Sequence, residues 1–241
     1  MSNFWSSELP EGYYDKIFKN NKDLKKGLQL NWHSTIFKNV IKDILKKSIH
    51  LDYACGPGTF IGKFSNFNSV GVDISKLQID YAKKNYSEEG KFFTINEFDF
   101  EKYKNKFDVI TVLGLLEFID FNETQDLLSN LTDLLKPEGK IIFTTPNYGG
   151  LMPYLENVLN LIGPINYKNE FKTRYTSKKI DKVFSLMFNK FEINKILNFG
   201  ILFSLVNVNF SNKAMFLIDK IFNNYFGYIF KITVYKKDKK N

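Results

Sequence analysis

A chain of 241 residues with an ordinary hydrophobic share of 44% is long enough for one large domain around a single core. Its formal net charge of +8 comes almost wholly from lysine, Arg174 being the lone arginine. Base and phosphate readers lean on the planar arginine fork, so the charge reads as a solvated lysine surface and nucleic acid is not the favoured partner. One cysteine, Cys55, rules out an internal disulfide, and the N-terminus lacks the basic region and apolar core of a signal peptide, so the expected location is cytoplasmic.

In chain order, residues 1–30 form a polar, aromatic-bearing leader or lid with Tyr13-Tyr14 and a basic stretch from Lys22 to Lys26. Trp32, Ile36, Val40, Ile41, Ile44 and Leu45 then recur at helical spacing, predicting an amphipathic helix from Asn31 to Lys47. Ile49 to Tyr53 reads as a buried strand, Cys55 to Gly58 as a tight turn, and Thr59 to Phe64 as the start of a helix. Ser69 to Val72 reads as a second strand ended by Asp73, and Ser75 with Gln78 has capping-box spacing for a helix to about Asn85. Further strands are expected at Phe92 to Ile95, Phe107 to Leu113 and Lys140 to Thr145. Between the last two, Asn122 with Gln125 is a second possible capping box, before a leucine stripe that ends ahead of Pro137. Strands alternating with helices of this length argue for a parallel sheet covered on both faces.

Past Pro146 the pattern loosens. A short helix is expected near Tyr154 to Ile162, and a second capped by Thr176. A strand follows at Phe191 to Leu197, a helix at Asn212 to Asn224, and a last strand at Tyr228 to Tyr235. The chain therefore reads as one domain: a leader (1–30), a ligand-binding core (31–146), an insertion (147–190) and C-terminal strands with a helix (191–241). Phe199 to Phe210 is the most apolar late stretch but too short to span a bilayer. It reads as a buried strand-end or helix, with a membrane-facing entrance the minor reading. The basic run Lys236 to Lys240 reads as a terminal tail.

The turn after the first strand carries the chemistry. A dinucleotide site wants G-x-G-x-x-G, but here Gly56 and Gly58 are followed by Ile61 at the third position, and Gly62 comes one residue late. Asp52, ending the strand, would repel a pyrophosphate yet suits a ligand with an ammonium or sulfonium group. Leu51-Asp52-x-Ala54-Cys55-Gly56-Pro57-Gly58 resembles motif I of the class I S-adenosylmethionine-dependent methyltransferases. The resemblance continues through Gly71-Val72-Asp73-Ile74-Ser75, Asp99-Phe100, Phe107-Asp108-Val109-Ile110 and Leu135-Lys136-Pro137-Glu138-Gly139-Lys140. Ala54 stands where the family usually has glycine, a small-for-small change. From Leu135 to Asn147 and in the loop beyond, the chain is similar to quinone-biosynthesis O-methyltransferases and their bacterial relatives.

That resemblance implies an α/β, Rossmann-like fold: a seven-stranded, mostly parallel sheet with helices on both faces and an antiparallel last strand. It implies S-adenosyl-L-methionine as cofactor. Asp52 would lie near the amino group, Ala54, Gly56 and Gly58 would form the methionyl turn, and Asp73 with Ile74 beside it would take the ribose. Asp99 would meet the adenine amino group with Phe100 beside the ring, and Leu113-Gly114 would line the methionyl side. Asp73 and Asp99 also fit plain turn and cap positions. Relatives often carry Glu-His after the fourth strand where this chain has Glu117-Phe118, so no metal is expected. His33, Glu117 and Tyr148 are the candidate acceptor-side or catalytic groups, and Arg174 a further one, whereas His50 reads as structural. The expected function is methyl transfer to a small-molecule acceptor, at oxygen by preference. An RNA methyltransferase and a non-catalytic cofactor-binding subunit are the alternatives.

Overall fold

The computed structural model describes residues 4–5, 9–20, 27–65, 68–162, 167 and 169–236. The basic stretch Lys22 to Lys26 and most of the C-terminal lysine run lie outside these residues. The chain opens with α1 (Tyr13–Asn20) and α2 (Leu28–Ile41), then alternates β1 (Ile49–Tyr53), α3 (Thr59–Phe64), β2 (Asn68–Asp73), α4 (Lys76–Tyr86), β3 (Gly90–Thr94) and β4 (Phe107–Leu113). It continues with α5 (Phe121–Leu134), β5 (Leu135–Pro146), α6 (Met152–Ile162), α7 (Ser177–Phe184) and β6 (Phe191–Ile196). A 3₁₀ segment (Phe199–Leu205), α8 (Val208–Phe222) and β7 (Ile229–Tyr235) follow.

The seven strands form one sheet in the order β3-β2-β1-β4-β5-β7-β6. Every neighbouring pair from β3 to β5 is parallel, and β7 runs antiparallel to both β5 and β6. The inner strands are apolar on both faces because helices cover both. Leu51, Ile110, Leu128, Leu131, Ile180 and Phe184 belong to the core on the α5 and α7 side, and Ile36, Val40, Phe60, Ile142 and Ile201 to the core on the α2 side.

Several local readings are corrected by the contacts that form. The cap of α5 is Asp120 with Glu123, two residues before the expected pair. Each side chain accepts from the other's backbone N–H at 2.9 Å, a reciprocal box that Asn122 and Gln125 do not make. Ser75 caps α4, but Gln78 does not reach back to it. Its amide instead accepts from the Gly12 N–H at 3.0 Å and donates to the Pro10 carbonyl at 3.0 Å, clamping the leader onto α4. The leader holds helix α1, and α2 begins three residues earlier than its periodicity suggested and ends at Ile41.

Asp15 anchors α1. Its fully buried carboxylate accepts from the Tyr86 hydroxyl at 2.5 Å and the Tyr81 hydroxyl at 2.7 Å, with Lys19 at 3.0 Å and Lys63 at 3.7 Å. Phe199 to Phe210 is helical, not a strand-end, and much of its apolar surface faces outward.

Candidate active site

At the carboxyl ends of β1, β2, β4 and β5 lies a cavity of about 500 Å³, where open α/β sheets bind ligands. Its floor is the turn from Asp52 to Pro57. Asp73 to Ser75, Gln78 and Ile95 line one end, and Leu113 to Phe118 with Thr144 to Pro146 the other. The roof comes from Trp5, Tyr13, Tyr14, the α2 face with Trp32, His33 and Phe37, and Tyr167 with Phe171. Tyr14 and Tyr167 meet hydroxyl to hydroxyl at 3.1 Å, closing the roof across the cavity.

The turn is held by its backbone geometry. Ala54, Gly56 and Gly58 all have positive φ, at 62°, 54° and 73°. The substitution at Ala54 therefore puts a Cβ in the left-handed region, at a cost of roughly 1–2 kcal/mol. A Cβ on Gly58 would stand 2.8 Å from Phe92, whereas one on Gly56 would meet nothing closer than Tyr14 at 3.9 Å. Gly56 thus faces open cavity, and a side chain there would take ligand space.

Asp73 ties this turn to the next strand. One carboxylate oxygen accepts from the Gly56 N–H and the other from the Ser75 N–H, both at 2.8 Å. The Ile74 N–H also donates to this carboxylate, so of its about four lone-pair sites about one remains for a ligand hydroxyl. Asp52 is buried and accepts from the Thr111 hydroxyl at 2.6 Å; burial pushes its carboxyl up to about 7. Thr111 is held in turn by His50 Nε2 at 2.8 Å, and burial pushes that imidazole down to about 3, leaving it neutral. His50 therefore supports Asp52 from behind and is absent from the cavity lining. The Thr59 hydroxyl, also on the lining, is buried with no hydrogen-bond partner among the described residues.

Glu117 is buried at the far end, accepts from the Thr145 hydroxyl at 2.9 Å, and is pushed up to about 7 by burial. Its backbone carbonyl accepts from the N–H groups of Lys172 and Thr173, pinning the 169–173 segment beside it. Trp5 packs edge-on to Phe118, with centroids at 4.6 Å, and Phe171 stacks on Phe118 at 5.1 Å, an aromatic cluster that lines the same cavity as Glu117. His33 lines the cavity edge-on to Tyr14, its imidazole pushed down to about 4 by burial.

Five candidates, Asp99, Phe100, Tyr148, Arg174 and Gly58, are absent from the cavity lining, Gly58 because Phe92 and Ala82 pack against it. Asp99 is exposed and accepts from the Lys102 N–H at 3.0 Å, capping a turn, because its strand ends five residues earlier and the chain has already bent away. Phe100 packs edge-on to Phe98 in the core, and Ile95 takes the lining place on that side. Tyr148 lies beneath the Arg174 guanidinium, 5.4 Å from its ring centroid, and Arg174 pairs with Glu156 at 3.3 Å. The lining from Trp5, Tyr13 and Tyr14 had no periodic signal in the sequence. Gln78 was legible only as a cap.

A family model described as a methyltransferase domain matches residues 51–143, the span that supplies the turn, Asp73 and Glu117. The chain carries a methyltransferase domain over that span. The chain is 32% identical over 116 residues to a ubiquinone biosynthesis O-methyltransferase of Coxiella burnetii, covering 46% of this chain and 49% of that one. It is 30% identical over 160 residues to a tRNA N(3)-methylcytidine methyltransferase of Schizosaccharomyces pombe, covering 59% and 50%. The chain thus spans about half the length of the curated relatives it matches. Among solved structures, phosphoethanolamine N-methyltransferase 2 of Haemonchus contortus, in complex with S-adenosyl-L-methionine, superposes with a TM-score of 0.61 at 16% identity. That match covers 98% of this chain and 59% of the other, and supports the shared fold.

S-adenosylmethionine, the cofactor of the matched fold, fits the groups present in this cavity. Gly56 leaves open space, Asp73 keeps acceptor capacity for a hydroxyl, Asp52 is a buried carboxylate that would suit a cation, and the Thr59 hydroxyl has no partner among the described residues. Asp73→Ala is expected to weaken adenosylhomocysteine binding by about 1.5–3 kcal/mol, the range for hydrogen bonds to a charged group. Because the same carboxylate holds Gly56 and Ser75, the melting temperature should fall with the affinity. Calorimetry and a thermal melt on one sample check both, and unchanged affinity would return Asp73 to a purely capping role.

Proposed function

We propose that the chain methylates a small acceptor with an apolar body, at an oxygen, using Glu117 to take the acceptor's proton. The observation that carries this is the placement of Glu117: a buried carboxylate on the wall of a cavity that Trp5, Phe118 and Phe171 also line, with its proton affinity raised to the working range of a general base. S-adenosylmethionine, when bound, supplies a methyl group on a sulfonium and hence a ready leaving group. The protein's share is to align and desolvate. Asp52, Asp73 and the Gly56 turn would hold the cofactor, and the aromatic wall would orient a flat acceptor against Glu117. The roof from Tyr14 to Tyr167 excludes water. Tyr167, Asn169, Glu170, Phe171 and Lys172 line the acceptor end, so acceptor choice is assigned to this part of the insertion.

The similarity to a ubiquinone biosynthesis O-methyltransferase supports oxygen as the acceptor atom, and that to a tRNA methyltransferase gives RNA as the second reading. Five acidic residues, Asp52, Asp73, Glu117, Glu156 and Glu170, line a cavity whose Lys172 ammonium is engaged by Glu123 at 3.0 Å, an environment unfavourable to a polyanion. The test is calorimetry with S-adenosylmethionine, adenosylhomocysteine and NAD, followed by transfer of labelled methyl to phenols, amines and a tRNA transcript. Binding of both sulfur ligands with label on a phenol is expected. Tight NAD binding, label on the transcript, or cofactor binding without transfer to any small acceptor would overturn the proposal.

A further inference from the structure

Among the described residues eighteen large hydrophobic side chains are exposed, and eleven of them lie between Phe199 and Tyr225. Leu205, Val206, Phe210, Phe216, Leu217 and Ile221 are each more than half exposed. The cause lies in the inward side of the same segment, which is polar. Asn31 donates to the Ser204 hydroxyl at 2.8 Å, Ser211 donates to the Gly200 carbonyl at 2.8 Å, and Asn198 donates to Asp219 at 2.7 Å. The 3₁₀ segment and α8 therefore dock on α2 through hydrogen bonds and leave much of their apolar side outward, reversing the usual amphipathic arrangement.

The charges on this face identify its occupant. Asp219, the single carboxylate between Phe199 and Tyr225, is turned toward Asn198, so Lys213 and Lys220 provide the outward charge. They stand seven residues apart, two turns along α8 and about 10 Å. Neither ammonium has a carboxylate partner among the described residues. Lysines interleaved with phenylalanine, leucine and isoleucine suit an apolar layer whose rim is anionic, because their stems lie along the layer while the ammonium groups reach the headgroups. A second copy of this face would bring the same two lysines and no acid. No helix of the described residues is long and apolar enough to cross a membrane, so the geometry is that of a helix lying in the surface.

We propose that the 199–225 face seats the protein on an anionic lipid bilayer. The Gly27 N–H donates to the Ser204 carbonyl at 3.1 Å, so the seated segment abuts the start of α2, whose other residues Trp32, His33, Ile36 and Phe37 wall the cavity. The bilayer would then lie one helix away from the acceptor end.

Flotation with vesicles of equal parts phosphatidylcholine and phosphatidylglycerol, compared with phosphatidylcholine alone, tests this. Binding to the mixed vesicles that weakens with salt is expected. Lys213→Gln with Lys220→Gln should lower it by roughly fivefold per lysine, since each basic residue near an anionic surface carries about that factor. Phe216→Glu with Ile221→Glu should lower it by at least about tenfold through lost apolar burial. Both variants should bind adenosylhomocysteine as the parent does, which shows that they fold. Parent protein that ignores both vesicle types, variants that float like the parent, or a parent dimer that Phe216→Glu with Ile221→Glu dissociates would each overturn the proposal.

Discussion

Glu117→Gln is expected to lower methyl transfer by roughly a hundredfold to ten-thousandfold, the usual contribution of a positioned general base, while adenosylhomocysteine binds as before. The amide keeps the shape and can still accept from Thr145, so the loss isolates proton acceptance. The pH dependence follows from the same group. Burial raises the Glu117 carboxyl to about 7, and only the ionised form accepts a proton, so the rate should climb through that pH and level off above it. Asp52 is raised to about 7 as well, so the profile is to be taken with cofactor saturating, when the ligand's ammonium keeps Asp52 ionised. Under that condition the rising limb belongs to Glu117 and should vanish in the glutamine variant. A variant that turns over at the parent rate would remove Glu117 from the chemistry.

The second large effect concerns Asp15. Asp15→Ala is expected to cost at least about 2 kcal/mol, because it removes the buried acceptor of the Tyr86 and Tyr81 hydroxyl protons, and each buried donor left unpaired costs about 1–3 kcal/mol. The loss should be felt as undocking of α1, so amide exchange over 13–20 should quicken and cofactor affinity should drop, since Tyr13 and Tyr14 leave the roof. Burial opposes the charge on Asp15, but the hydroxyls of Tyr86 and Tyr81, then Lys19 and Lys63, outweigh it and hold the carboxyl below its ordinary range. With the folded value depressed, the stabilisation is complete above the unfolded value of about 4 and is lost as pH falls through the folded one. Urea titrations of the parent and of Asp15→Asn at descending pH check this: Glu97, Asp108 and Glu123 are also held low, so both should lose stability, the parent more steeply than the variant. Equal slopes with pH would show that Asp15 carries no linked proton.

What the sequence disclosed depended on how local each signal was. The turn from Asp52 to Gly58 and the aspartate ending β2 are fixed by spacing over a few residues, and the inner strands stand out as apolar runs between helices. Asp15 and the Gln78 clamp were invisible, because each draws its meaning from a partner more than sixty positions away. Asp99 misled because an acidic residue soon after a strand serves a ligand or a turn equally well, and only the path of the chain decides. The stretch from Phe199 to Phe210 misled for the opposite reason: an apolar run normally turns inward, but serines and asparagines held the inward positions here and left the phenylalanines outside.

The placement of β7 has a consequence for how the protein is made. This strand lies between β5 and β6, yet it is the last of the seven along the chain, so a chain emerging from the ribosome presents β5 with one side unpaired. β6 cannot fill the gap, since it joins the sheet only through β7. Until the residues up to Tyr235 are free, the apolar run Ile141-Ile142-Phe143 sits on an open sheet edge, a template for pairing with another nascent chain. Slow synthesis or stalling anywhere between β5 and β7 should therefore favour aggregation, and holding that edge is the service a chaperone would render.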